Sequence, residues 1–346
     1  MKYKVTVIIP TYNVEKFIHN AISSIMKQTI GFENIEVILV DNESTDSTRD
    51  ILKEYSKTYE NIKSFFPKGN SGTASRGRNI GMDNANSDFV MFLDADDMYV
   101  NNICEVLYDT ITETNSDIVI CDWEFVKHGN FPNLDNITPD KTFFNWNPEE
   151  VGEKYYNLYM WDKIYRLDFL NRFDIRCPDG LFLEDLYFGL KSEICTDKII
   201  YLKNYCGYLY YVRDYGDDMS LSNDINLSIY TKSLKTDFLI IEFLKDFGRE
   251  DIIAPLMKYQ FILLIGWFTR VKTDRKTKIN LLEELYDLKK YANFNERLNE
   301  IWADFILVNI EKRHFNIVLI FSKIINILFH SRRLRMLYRR IYGKKH

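Results

Sequence analysis

The 346-residue sequence contains few cysteines, and their arrangement argues against a disulfide-rich domain and against a cysteine-rich zinc domain. There are five of them, an odd number, and no two form a Cys-x-x-Cys pair. Neither a disulfide framework nor a cysteine-rich zinc site is therefore expected, and this cysteine usage favours a reducing cytoplasm.

Long apolar runs are also missing. No run of 18 apolar residues occurs, so a membrane-spanning helix is not predicted. The N-terminus begins with a strand pattern instead of the charged and apolar segments of a secretory signal, so no signal is expected. The net charge is −5 although residues 330–346 hold seven Arg or Lys and no acid. The rest of the chain is thus acidic, which argues against broad nucleic-acid binding.

What the sequence does contain is an alternation of apolar strands and amphipathic helices, which predicts a parallel sheet built from βαβ units. We expect an α/β fold with a mainly parallel central sheet flanked by helices, followed by an all-helical C-terminal region. The predicted domains are 1–225, divided into halves at about residue 100, and 226–346. Strands are predicted at 5–10, 36–41, 62–66, 89–93 and 117–121, helices at 15–28, 47–59, 101–114 and 185–195, and a polar loop at 127–150.

Three carboxylates follow the apolar strand at 89–93, namely Asp94, Asp96 and Asp97. A strand interior cannot hold unpaired charges, so these side chains must lie where the strand leaves the sheet. Oxygen ligands of this kind suit Mg²⁺ or Mn²⁺. The alternative is a solvated acidic turn that caps the next helix.

Four polar loops fall on one edge of the predicted sheet, because the carboxyl ends of parallel strands share an edge. They contain the motifs V-x-V-I-I-P-T-Y-N, V-D-N-x-S-T-D, N-x-G…R-x-R-N-x-G and F-L-D-A-D-D. In order and spacing these motifs resemble family 2 of the inverting nucleotide-sugar glycosyltransferases, over roughly residues 3–222. The resemblance implies the GT-A fold and transfer of a sugar from a nucleotide, with UDP as the expected nucleotide.

The resemblance assigns the nucleotide site to the first two loops. Pro10, Thr11 and Tyr12 would line it, with Tyr12 stacking on the base, although a tyrosine here could also plug the sheet edge. Asp41 would accept a hydrogen bond from uracil N3–H, and its alternative is a role in the turn. Asn70 of the glycine-rich loop is expected beside the sugar nucleotide.

The same resemblance assigns the diphosphate and metal to the next two loops. Asp94 and Asp96 would bind Mn²⁺ or Mg²⁺, with Asp94 and Ala95 close to the nucleotide sugar. Asp97 is expected to cap the following helix. The glycine-rich loop has one residue more than the common pattern, so either Arg76 or Arg78 would contact the sugar or diphosphate.

Catalytic and acceptor residues are expected in the second half. Trp161 and Lys163 lie in a segment similar to the W-x-K-x-Y element of capsule and teichoic-acid members of the family, which implies an acceptor role. Asp185 matches the family's general base, and its apolar surroundings predict a raised pKa. Glu184 would shape the acceptor site. The alternative is that this acidic pair only caps the helix at 185–195.

A last motif, Y-L-Y-Y-V-R…D-M-S-L-S, resembles the loop that closes over the diphosphate in the family. It assigns phosphate contacts to Arg213 and Ser220. The resemblance implies a metal-dependent inverting glycosyltransferase whose acceptor is a growing cell-surface glycan or a lipid-linked unit. The alternative function is that of an inactive relative that binds sugar nucleotides or glycans.

The C-terminal region carries no recognisable chemistry. Residues 315–329 are mostly apolar, and the residues that follow are basic. This pattern predicts an interfacial anchor on an anionic membrane, which would place the protein at the inner face of the cell membrane. The alternative is a helix that packs against the protein or against a second copy in a homo-oligomer.

Overall fold

The computed structural model describes residues 3–126, 140–143, 159–211, 225–292 and 301–330. Within these ranges, only the backbone is described at 140, 141, 143, 301–304 and 324–330. The chain divides into two compact units, one built from residues 1–146 with 156–219 and the other from 147–155 with 220–346. The domain boundary predicted near residue 225 borders residues 212–224, which lie outside the described ranges, so it stays a prediction.

The first unit is built around a nine-stranded sheet with the order β3-β2-β1-β4-β8-β6-β9-β5, and β7 also pairs with β9. The strands are β1 (Val5–Thr11), β2 (Ile35–Asp41), β3 (Ile62–Phe65), β4 (Phe89–Phe92), β5 (Met98–Tyr99), β6 (Ile118–Val126), β7 (Asp140–Phe143), β8 (Lys163–Arg166) and β9 (Ile199–Tyr211). Its helices are α1 (Ile18–Met26), α2 (Thr48–Thr58), α3 (Ser75–Asp83), α4 (Ile103–Thr114), α5 (Leu167–Arg172) and α6 (Glu184–Ile194).

The strands of the first half pair in parallel, as their sequence predicts. β1 lies between β2 and β4, and the register pairs Thr11 with Asp41 at the carboxyl ends. Every residue of β2 and β4 is buried, because helices cover both faces of a parallel sheet. The shared edge of β1, β2 and β4 is therefore where the predicted loops converge.

Beyond β4 the sheet is mixed. β8 runs antiparallel to both β4 and β6, whereas β6 and β9 are parallel. The sequence did not reveal β5, β8 or β9 as strands, and β7 lies inside the segment expected to be a loop. Short strands such as β5 and β8 carry too little periodicity to be recognised, and their pairing comes from contacts distant in sequence.

The second unit is helical throughout its described residues, as predicted. Its helices are α7 (Leu227–Asp246), α8 (Glu250–Arg270), α9 (Arg275–Lys289), α10 (Ile301–Glu311) and α11 (Phe315–His330). Of the described helices, α8 is long and apolar enough to cross a membrane, but more than half of its most apolar window is buried inside the protein. The core helix of a water-soluble protein has the same features, so α8 is weak support for a membrane span.

The close approach of α3 to β1 depends on a glycine. A Cβ atom at Gly81 would lie 2.3 Å from Cγ2 of Ile8, a fully buried residue in the middle of β1. The missing side chain thus lets α3, which carries Arg76 and Arg78, lie directly on the sheet.

Replacing this glycine should destabilise the first unit. Gly81→Ala forces a methyl group into a filled space, so we expect a loss of about 1–3 kcal/mol in the free energy of unfolding. Urea denaturation of Gly81→Ala, Ile8→Ala and the double variant measures it. The double variant should lose less than the sum of the single losses, because Ile8→Ala removes the clashing atoms. Strict additivity would show that this contact does not set the helix position.

Candidate functional site

The glycine-rich loop is attached to the loop after β2 through Asn42. The side-chain Nδ2 of Asn42 donates to Oδ1 of Asn70 at 3.0 Å, and the side-chain Oδ1 of Asn42 accepts from the Ser71 backbone N–H at 3.1 Å. Arg76 donates from Nη1 to the carbonyl oxygens of Lys68 and Gly69, both at 2.8 Å. Arg76 and Asn70 therefore shape the glycine-rich loop. Asn42 was missed by the sequence analysis, although it lies inside a recognised motif.

Asp41 at the end of β2 is fully buried. Its carboxylate accepts from the backbone N–H groups of Glu43 and Ser44 at 3.1 Å, and Nε of Arg49 lies 3.5 Å away. This arrangement matches the turn role that the sequence left open as an alternative. The hydrogen bond from Asp41 to a base stays a prediction.

The residues after β1 differ in their exposure. Thr11 is buried and donates to the carbonyl oxygen of Val40, whereas the side chain of Tyr12 is 43% exposed at the same edge of the sheet. An exposed ring beside a row of strand ends can stack on a base, so the role expected of Tyr12 stays open.

Arg78 is the residue that connects the two halves of the site. Its Nη2 donates to Oδ1 of Asp94 at 2.8 Å, and its Nη1 donates to Oε1 of Glu184 at 2.9 Å. The Arg78 side chain is 5% exposed, so the guanidinium is buried, whereas its partner Asp94 is 28% exposed. Burial alone would lower the pKa of Arg78, but Asp94 and Glu184 raise it well above its ordinary value. Arg78, not Arg76, reaches the acidic groups.

Asn79, the next residue of α3, attaches this helix to the segment that precedes Glu184 and Asp185. The Asn79 amide donates to the carbonyl oxygen of Cys177 at 2.8 Å, and its Oδ1 accepts from the Cys177 backbone N–H at 2.9 Å. Leu183, directly before Glu184, adopts the left-handed conformation with φ of 63°. A leucine is rarely found there, and such strain often accompanies a functional site.

Glu184 and Asp185 begin α6 with perturbed acidities. Burial raises the pKa of Glu184 to about 7, although Arg78 opposes the shift. Burial likewise raises the pKa of Asp185, again against the effect of Arg78, as its apolar surroundings predict. A carboxylate with a raised pKa is a stronger base at neutral pH than an ordinary aspartate, so this pair can accept a proton.

Asp97 does not cap the following helix, so that prediction was wrong. Its Oδ2 accepts from the Tyr208 hydroxyl at 2.5 Å and its Oδ1 from the Tyr211 backbone N–H at 2.7 Å. Helix α4 begins only at Ile103, after the short strand β5. Asp97 instead attaches the acidic loop, residues 94–97, to β9.

The acidic loop concentrates negative charge. Burial, and then the charges of Asp96 and Asp94, raise the pKa of Asp97 well above its ordinary value. Asp94 and Asp96 are only partly buried, and Ala95 between them is buried. Among the described residues no group of three or more His, Cys, Asp or Glu side chains could hold a metal ion by itself. The two carboxylates nevertheless suit a hard divalent cation whose other ligands come from phosphate or water.

An aromatic cluster adjoins this loop. Trp161 stacks on Tyr208 with ring centroids 4.1 Å apart and on Tyr159 at 4.7 Å. Tyr208 is also the donor to Asp97, so the cluster and the acidic loop share one residue. The cluster contains Trp123, Phe125, Tyr159, Trp161, Tyr208 and Tyr210.

Lys163 lies beneath the cluster and is fully buried. Its ammonium donates to Oδ1 of Asp162 at 2.6 Å and to the carbonyl oxygen of Tyr159, and Glu193 is 3.7 Å away. Burial raises the pKa of Asp162 to about 6 although Lys163 opposes the shift. Trp161 is only 3% exposed. Direct acceptor contact, expected of Trp161 and Lys163, does not fit this burial, and Lys163 instead supports the segment that carries the aromatic rings.

Arg213 and Ser220, the two expected phosphate contacts, lie outside the described residues, as does the basic tail at 331–346. Their roles stay predictions.

Comparison with known proteins now identifies the domain. Residues 6–173 match the family model described as Glycosyl transferase family 2. The chain carries a family 2 glycosyltransferase domain. It is 33% identical over 290 residues to the poly(ribitol-phosphate) beta-N-acetylglucosaminyltransferase TarS of Staphylococcus aureus strain Mu50, covering 81% of this chain and 48% of that protein. It is 32% identical over 231 residues to glycosyltransferase GlyA of Streptococcus pneumoniae serotype 4, covering 61% of this chain and 31% of that protein.

A solved structure supports the fold. The crystal structure of S. aureus TarS 1–349 in complex with UDP-GlcNAc matches with a TM-score of 0.68 at 24% identity, covering 93% of this chain and 91% of that one. The described fold is thus the GT-A fold followed by a helical region. The chain spans less than two thirds of the length of the two curated relatives named above.

Removing the connecting guanidinium should be costly. Arg78→Ala leaves Asp94 and Glu184 partly or fully buried without their cation, so we expect a loss of about 3–5 kcal/mol in the free energy of unfolding at pH 8. The loss should shrink as the pH falls below about 7, because burial raises the pKa of Glu184 to about 7 and its protonated form carries no unpaired charge. Arg76→Ala is the matched control and should cost about 1 kcal/mol. Urea unfolding at several pH values measures both, and equal losses would contradict the central role of Arg78.

Proposed function

We propose that the chain transfers a sugar from a UDP-sugar, with inversion, to a hydroxyl group of a cell-surface polymer. The observation that supports this most strongly is the Arg78 bridge, because it brings the acidic loop and the Glu184–Asp185 pair into one site. A diphosphate-binding loop and a base are the two parts that this reaction needs.

The proposed chemistry is a direct displacement. The acceptor oxygen forms a bond to the anomeric carbon while the bond from that carbon to the diphosphate oxygen breaks, so UDP leaves. The acceptor proton passes to the carboxylate of Asp185. Glu184, held by Arg78, keeps the pair in place and adds to the negative charge that favours proton uptake.

Asp94 and Asp96 would hold Mn²⁺ or Mg²⁺ when the donor is bound. The ion would neutralise charge that develops on the departing diphosphate. Tyr12, Pro10 and Thr11 would lie beside the uracil.

The acceptor class is proposed from the relatives. TarS is described as acting on poly(ribitol-phosphate), and a protein of Bacillus subtilis strain 168 that is 41% identical over 118 residues, covering 34% of this chain and 13% of that protein, is the minor teichoic acid biosynthesis protein GgaB. We therefore propose a phosphodiester-linked polyol chain as the acceptor. The partly exposed rings of the aromatic cluster, with Phe125 61% exposed, offer a surface for it beside the acidic loop.

Work on such a polymer would take place at the inner face of the cell membrane. The seven basic residues of the 330–346 segment and the exposed Ile317 of α11 support a peripheral contact with anionic lipid. A homo-oligomer formed through the same apolar surface is the alternative for this region.

The role of Asp185 can be tested by a neutral isostere. Asp185→Asn should lower sugar transfer at least about 100-fold, because the acceptor proton loses its base, while UDP binding stays within about twofold. Transfer is followed as UDP release, and binding by isothermal titration with UDP. The exposed Asp179 in the preceding loop provides the control Asp179→Asn, which should keep transfer.

The pH dependence gives a second readout for the same base. Transfer should fall as the pH decreases through the raised pKa values of the pair, near 7 for Glu184, since the protonated form cannot accept the acceptor proton. An ordinary aspartate would keep its activity to about pH 4. Loss of UDP binding in a folded Asp185→Asn protein would refute the assignment, and intact binding without turnover in the unmodified chain would favour a binding protein.

Loss of the proposed metal ligand Asp96 should affect UDP binding. Asp96→Ala should weaken UDP binding about tenfold in the presence of Mn²⁺ or Mg²⁺ but change it little in EDTA, because only the metal-assisted part is lost. Asp109→Asn, at an exposed position of α4, serves as the control. Isothermal titration of each variant with and without metal gives the comparison, and an equal loss in EDTA would indicate a structural defect instead.

A further inference from the structure

The helical unit contains a cavity of about 610 Å³ that is separate from the nucleotide-sugar site. The turn between α8 and α9 and one side of α11 form its lining. Four cationic side chains contribute to the lining, those of Lys272, Arg275, Lys278 and Lys323, and among the described residues no acidic side chain does. Such a concentration of one charge sign around a cavity is unusual in an acidic chain.

The four cations are not neutralised within the described part of the chain. Across residues 225–292 and 301–330, the ion pairs of the structure include none of them. Arg275 donates instead to Oδ1 of Asn316 at 2.7 Å, which holds the guanidinium at the cavity wall. The nearby Asp274 uses its carboxylate to cap α9, accepting from the backbone N–H of Thr277 at 3.0 Å.

Two of the cations repel each other. Burial, and then the charge of Lys323, lower the pKa of Lys278. The Lys278 ammonium also lies 5.2 Å from the centre of the Phe268 ring. Holding like charges together costs free energy, and an anion between them would recover it.

The remaining lining suits a ligand that is more than a bare ion. Thr273 and Asn316 supply polar groups, whereas Leu319 and Ile320 supply apolar surface. The volume exceeds that of one phosphate group, and four positive charges exceed what one phosphodiester neutralises. The cavity therefore fits a chain in which phosphates alternate with short polyhydroxylated carbon units.

We propose that this cavity binds phosphate groups of a phosphodiester-linked polyol chain. The identity of the polymer rests on the acceptor class proposed above, whereas phosphate binding by the cavity does not. Three of the four cations, Lys272, Arg275 and Lys323, are exposed, so a flexible anionic chain in solution can reach them.

The test measures binding without turnover. A synthetic oligomer of glycerol phosphodiesters is titrated into the full chain in EDTA and without donor, by isothermal calorimetry. Lys278→Ala/Lys323→Ala should weaken binding at least about tenfold, since two charge-assisted contacts are lost. Lys276→Ala/Lys312→Ala removes the same charge from exposed positions outside the cavity and should change binding less than about twofold.

Several results would overturn the proposal. They are no binding of the oligomer, an equal loss in both double variants, and binding of phosphatidylglycerol vesicles but not of the oligomer. Inorganic phosphate should compete at millimolar concentration, and failure to compete would also count against it. If the double variant does not fold, Lys272→Ala at the exposed rim, compared with Lys276→Ala, makes the same comparison.

The result does not depend on catalysis. Donor turnover is measured separately as UDP release in the presence of metal. An inactive chain that still binds the oligomer through the cavity would refute the proposed function alone, and an active chain with no such binding would refute this proposal alone.

Discussion

The ion pairs of Arg78 are the constraint around which the site is built. A buried guanidinium needs compensating negative charge, and Asp94 and Glu184 supply it to Arg78. Each comes from a different element: the end of β4, helix α3 and the start of α6. The close contact of Gly81 with Ile8 lets α3 lie near enough to the sheet for Arg78 to reach both acids.

Asp97, which Arg78 does not bind, is held by other contacts. Asp97 receives hydrogen bonds from Tyr208 and from the backbone of Tyr211, and its raised pKa reflects burial beside further negative charge. Arg78, the Tyr208 hydroxyl and the Tyr211 backbone N–H thus each compensate part of the negative charge of the acidic loop. Asp94 and Asp96 remain partly exposed just beyond the end of β4.

The sequence was sufficient for the parts of the fold that depend on local pattern. Strands β1, β2 and β4 are short, mostly apolar and followed by polar loops, so both their existence and their common edge could be predicted. The pKa shift of Asp185 was predictable for the same reason, from its apolar neighbours. Lys163 and Asp97 were not predictable, because a motif identifies a residue but not whether tertiary packing buries it. That Arg78 and not Arg76 reaches Asp94 and Glu184 could not be predicted either, because it depends on the phase of α3 relative to the sheet.

The Arg78 bridge also has a consequence for the order of folding. Arg78 and Glu184 are separated by 106 residues in the sequence. A growing chain exposes β1 to β4 and the acidic loop well before Glu184 is synthesised, so the parallel half can collapse while its guanidinium has only Asp94. Contacts between residues so distant in sequence form late because the entropy of closing a long loop must be overcome first. We therefore expect the ion pair between Arg78 and Glu184 to form late in folding, after the parallel half of the sheet.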